Sequence, residues 1–115
     1  MAINSNQKGK RFERLLAAKL REYGYNARRS VQYCGKSGEA ADIVNLPYIH
    51  VEAKHVERLN IYEAMEQAKR DAKAGGKGDI PAVFHKKNNK NILVTVEFED
   101  FMQLYKAFEN SYGKV

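Results

Sequence analysis

The stretch ADIVNLPYIHVEAKHVE, residues 41–57, sets Asp42 among apolar residues before Leu46 and Pro47 and alternates apolar with polar side chains from Ile49 to Lys54 after them. Alternation with period two marks ADIVN and YIHVEAK as two short strands, joined by a hairpin longer than a two-residue turn. With the hairpin centred near Pro47, residue numbers opposite one another sum to about 94, which sets Asp42 across from Glu52. The same period sends Asp42, Glu52 and Lys54 to one side and Ile43, Ile49, Val51 and Ala53 to the other. A slip of one residue would part this set across the sheet. Two facing carboxylates repel, so the pair calls for a divalent cation, a shared proton or high exposure. Mg²⁺ suits carboxylate oxygens, with Mn²⁺ as a substitute.

Outward from this hairpin, Phe12, Leu15, Leu16, Leu20 and Tyr23 recur on one side of a helix predicted over 7–23, with Gly24 as its stop. NARRSVQY (26–33) reads as an exposed or edge strand and CGKSGEA (34–40) as a loop. Asn60 is a good helix cap with Glu63 three residues on, and Ile61, Met65, Ala68 and Ala72 mark the buried side of the helix that follows. GGKG (75–78) ends that helix; its spacing is not that of a phosphate-binding loop. IPAVFHK and NILVTVE form a second strand pair around the turn NNKN, and a last helix runs from about residue 98 to 110. In it, Phe98, Phe101, Tyr105 and Phe108 either seal the core or form an interface between copies. The predicted order is αβββαββα, an α/β sheet covered by helices.

The 115 residues suffice for a single domain, 1–115, with one hydrophobic core. Twenty Lys and Arg against fourteen Asp and Glu leave a net charge of +6, which favours anionic partners, DNA first among them. Arg28, Arg29 and Lys36, beside Lys54 and Lys69, form the best strip for gripping phosphates; Lys8, Lys10 and Arg11 form a second patch. The solitary Cys34 excludes an internal disulfide and reads as an incidental thiol. No stretch approaches the roughly 20 apolar residues of a membrane span, and no secretory leader is evident, so a cytoplasmic protein is expected.

Glu13 sits at the margin of the first helix's apolar face, where a carboxylate is costly without a partner. It either encloses the Asp42–Glu52 cation from the helix side or pairs with Arg14 or Lys10 at the surface. Lys54 has a different task, orienting a nucleophile or countering charge on a phosphate. His50 shares the side of Asp42 and Glu52, but His50 and His55 do not form a zinc motif.

KGKRFERLLAAKL (8–20), Gly24-Tyr25, ARRS, GEAADIV and VEAK together resemble the core of the PD-(D/E)xK nuclease superfamily, and within it the small archaeal-type and phage Holliday junction resolvases. The resemblance spans about residues 8 to 72 and implies a restriction-endonuclease-like mixed β-sheet flanked by helices. It aligns Glu13 with the acidic residue of the first helix, Asp42 with the metal-binding aspartate, Glu52 with the second ligand and Lys54 with the catalytic lysine. The Ala53 carbonyl becomes a further ligand, Gln67 an orienting amide, and Ser37-Gly38 resembles the catalytic-loop pair of a resolvase. Ala41 stands where proline often precedes the aspartate. Such enzymes use Mg²⁺ to hydrolyse DNA phosphodiesters, often as homodimers cutting two strands of a four-way junction in a prokaryotic cell or phage-infected host. The other readings are a same-fold nuclease of linear, flap or single-stranded DNA, and a non-catalytic nucleic-acid-binding or structural protein holding these charges as an ion-pair network.

Overall fold

The computed structural model describes residues 5–30 and 41–113, so Cys34, Lys36 and Ser37 lie outside the described residues. The elements follow the expected order: α1 (Ser5–Glu22), β1 (Arg28–Arg29), β2 (Ile43–Val44), β3 (Ile49–His55), α2 (Ile61–Gly75), β4 (Ile80–Lys86), β5 (Leu93–Thr95) and α3 (Phe98–Tyr112). The strands form one mixed sheet in the order β1-β2-β3-β4-β5. β2 and β3 are antiparallel with Ile43 opposite Val51, the register that the hairpin reading requires. β3 and β4 are parallel, a pairing that needs a crossover, and α2 supplies it. No helix among the described residues is long and apolar enough to cross a membrane.

Local chemistry explains the ends of these elements. Asn60 caps α2 by accepting the Glu63 N–H at 3.1 Å, and Gly76 closes it in the left-handed conformation (φ 70°), which costs glycine nothing. The β2–β3 connection takes left-handed backbone at both Asn45 and Tyr48, and Asn45 Nδ2 anchors it by donating to the Asn26 carbonyl at 3.0 Å. α1 ends at Glu22, with Gly24 (φ 99°) beyond it.

Alternation along the central strands divides the interior into two layers. On one face Ile43, Val51, Ala82 and Phe84 pack with Phe12, Leu16 and Ala17 of α1, with Ile49 and Ala53 partly buried beside them. On the other, Val83 packs with Ala64, Met65 and Ala68 of α2. β3 therefore turns His50, Glu52 and Lys54 toward α2. Tyr23 departs from expectation: it lies past the end of α1 and is 82% exposed. The apolar residues of α3 also stay outside the core, which removes the first of the two roles open to them; none of its residues is buried.

Phe12 and Tyr23 differ sharply in consequence. Phe12→Ala should cost about 3–5 kcal/mol of stability through lost burial and a cavity against Val51, whereas Tyr23→Ala should stay within about 0.5 kcal/mol. Urea denaturation of both variants checks the pair; equal losses would contradict the layer assignment.

Candidate functional site

The β2–β3 register delivers the carboxylates. Asp42 is held by its backbone on both sides, donating its N–H to the Val51 carbonyl at 2.8 Å and accepting the Ser30 N–H at 2.9 Å. Its side chain is fastened too, since the Ala53 N–H donates to Asp42 Oδ2 at 2.8 Å. The aspartate is thereby drawn onto β3 between Glu52 and Lys54. Glu52 is almost fully buried, and its Oε2 lies 3.6 Å from the Lys54 ammonium. Lys54 Nζ in turn donates to Gln67 Oε1 of α2 at 3.5 Å.

This arrangement burdens both acids. Burial raises the Asp42 pKa from 3.8 to about 6, with Glu13 and Asp71 adding to the rise and the Ala53 N–H and Lys54 opposing it. Burial raises Glu52 from 4.5 to about 7, reinforced by the negative charge of Asp42 and offset in part by Lys54. Two hard oxygen donors that resist ionisation side by side are a donor set suited to a hard dication, whose charge would relieve both.

Glu13 takes neither of the expected surface partners. Its Oε1 accepts from Arg29 Nε at 3.0 Å, joining α1 to β1. Both residues, with Lys10, Ser30 and Asp42, line a groove of about 340 Å³. Glu13 thus stands at the mouth of the site, within electrostatic reach of Asp42.

The residue that sequence reasoning missed is Asp71. One ring nitrogen of His50 and one carboxylate oxygen each of Glu52 and Asp71 lie within 4.8 Å of one another, a cluster able to hold a divalent metal. Burial lowers the His50 pKa, against the pull of Asp71 and Asp79. A signal existed: Asp71 is seven residues after Ala64 and three after Ala68, on the buried stripe of α2. Gln67 shares that stripe, so α2 offers an amide and a carboxylate to alternate residues on one face of β3.

The basic residues separate into distinct groups. Lys10 lines the Asp42 groove, Arg29 is tied to Glu13, and Arg28 and Arg11 are exposed. Lys8 pairs with Glu57 at 3.5 Å. Lys69, expected beside the carboxylates, instead bridges Glu66 at 3.4 Å and Glu97 at 3.2 Å. It follows Ala68 on the helix and so turns away from the β3 face.

A mixed sheet with an aspartate immediately before the short second strand, a glutamate and a lysine two residues apart on the third, and a helix on each face defines a PD-(D/E)xK-type nuclease fold. The family model for "Phage putative PDDEXK endonuclease" matches residues 4–115, and the chain belongs to that family. Among solved structures, it is similar to Archaeoglobus fulgidus Hjc, a Holliday junction resolvase from an archaeal hyperthermophile, at 24% identity and a TM-score of 0.59 over 76% of each chain. No curated protein matches significantly.

The raised carboxyl pKa values have a definite sign. The folded chain keeps protons that the unfolded chain has released, so without added metal these groups make stability fall as pH rises through about 4 to 7. Glu52→Gln should leave stability near that of the wild type at low pH and raise it by on the order of 1–3 kcal/mol at about pH 8. Thermal melts at the two pH values check this; parallel pH dependence in both proteins would refute it.

Proposed function

We propose that this chain is a Mg²⁺-dependent endodeoxyribonuclease that hydrolyses phosphodiester bonds in branched DNA, four-way junctions in particular, as a homodimer. The observation that carries the reading is the Asp42 carboxylate fastened to the Ala53 N–H, between buried Glu52 and the Lys54 ammonium. Mg²⁺, or Mn²⁺ in its place, held by Asp42, Glu52 and the Ala53 carbonyl, supplies Lewis-acid charge at the scissile phosphate.

The chain's own groups do the rest. Lys54 presents a fixed positive charge where the phosphate becomes more negative, and Gln67 holds that ammonium in place from α2. Hydrolysis forms a bond from a water oxygen to phosphorus and breaks the one to the leaving nucleotide. The water gives up a proton and the leaving oxygen gains one, so no covalent enzyme intermediate is needed. Glu13 joins the acidic set when Arg29 exchanges its ion pair for a DNA phosphate. Lys10, Arg11 and Arg28 contact further phosphates and position the strand. The fold likeness to an archaeal resolvase supports the choice of branched DNA, as in a prokaryotic or phage-infected cell.

Dimerisation finds its support in α3. Phe98, Phe101, Tyr105, Phe108 and Tyr112 are 45–70% exposed. At about 150–250 Å² per aromatic side chain, the exposed part of this row amounts to roughly 600 Å², the lower end of the share each partner contributes to a standard stable interface.

Asp42→Asn should reduce Mg²⁺-dependent cleavage at least about 100-fold, and Lys54→Ala by a similar factor, with DNA binding retained. A parallel assay on four-way, flap, linear and single-stranded DNA, with and without Mg²⁺, identifies the substrate. Binding without cleavage of any of them would favour the non-catalytic reading. For the dimer, Phe101→Asp combined with Phe108→Asp should convert a two-copy particle to a monomer in sedimentation equilibrium. A monomeric wild type would dismiss that interface.

A further inference from the structure

The cluster of His50, Glu52 and Asp71 differs in chemistry from the Asp42–Glu52 pair. It presents one imidazole nitrogen and two carboxylate oxygens within 4.8 Å of one another. His50 is 95% buried, and its Nε2 has no hydrogen-bond partner among the described residues. A buried ring nitrogen without a partner is costly in an apolar setting and is well placed to ligate. Mixed nitrogen and carboxylate donors select a borderline transition metal; a hard ion such as Mg²⁺ prefers oxygen and retains its water.

Of the three, His50 opens to a separate cleft. His50 lines a cleft of about 820 Å³ with Ala72, Lys77, Asp79 and the β2–β3 connection. The groove lined by Asp42, Glu13 and Arg29 has none of these residues in its wall. Glu52 lines neither opening but lies between them, coupled electrostatically to Asp42 and to Asp71.

We infer that His50, Glu52 and Asp71 form a second metal site, selective for a Zn²⁺-class dication, which shares Glu52 with the Asp42 pair so that metal bound there competes with Mg²⁺ for that carboxylate. The competition rests on the nuclease reading above; the binding does not. In this arrangement Zn²⁺ draws Glu52 toward α2, away from Asp42, and slows cleavage at a fixed Mg²⁺ concentration.

Titration calorimetry with Zn²⁺ on the DNA-free chain tests the site directly. One ion per chain is expected in the wild type and in Asp42→Asn, with affinity at least about tenfold weaker in His50→Gln and in Asp71→Asn. Asp71 is only half-buried, so its variant keeps the test sound if His50→Gln fails to fold, which a thermal melt reveals. Wild-type Zn²⁺ affinity in the folded variants, or equal weakening in Asp42→Asn, overturns the site. Cleavage at fixed Mg²⁺ then tests the sharing: Zn²⁺ should inhibit the wild type, and Asp71→Asn should need at least about tenfold more Zn²⁺ for the same inhibition. Inhibition unchanged in Asp71→Asn overturns the sharing. A wild type that cleaves no DNA refutes the nuclease reading, while the calorimetry still decides the site.

Discussion

The pairing of Ile43 with Val51 is the constraint from which the rest of the molecule follows. Because side chains alternate strictly along a strand, this one register decides which face of β3 meets which helix. It sends Val51 to the Phe12 layer and Glu52 toward α2. Moved by one position, β3 would thrust Glu52 among Phe12, Leu16 and Phe84 with no cation near it. The Ala53 N–H, by binding the Asp42 side chain, locks the register and shapes the site in a single contact.

Stability and chemistry pull against each other on the α2 face. Ala64, Ala68 and Ala72 bring small side chains to the sheet, leaving room for a polar ladder of His50, Glu52 and Lys54 facing Asp71 and Gln67. Packed apolar residues in those positions would stabilise the fold more, since burial disfavours the charged forms of His50 and Glu52. An arrangement that costs stability and gathers convergent donors is the usual signature of a functional centre. The opposite face is conventional: α1 covers it with Phe12, Leu16 and Ala17, and its margin brings Glu13 and Lys10 to the Asp42 groove.

α3 stands apart from this economy of space. Its aromatic rings contact one another along the helix, from Phe101 to Tyr105, Phe108 and Tyr112, and none of them is buried. Such a row gains little from self-contact in water, and the apolar surface it leaves exposed is the feature on which the proposed dimer rests.

Local signals made much of this readable in the chain itself. Asn60 and Gly76 delimit α2 through short-range capping, and the alternation in residues 41–57 foretold the facing of Asp42 and Glu52 together with their register. Contacts between residues far apart in sequence carried no such local mark. Glu13 found Arg29 rather than Lys10 or Arg14, because β1 folds back against α1; Lys69 was taken up by Glu97 from beyond β5. Asp71 joined His50 and Glu52 only because the β3–α2–β4 crossover lays the helix over that face of the strand. Periodicity is a property of neighbouring residues and survives in the sequence alone, whereas the partner of a long charged side chain depends on which distant element the fold brings within a few ångströms of it.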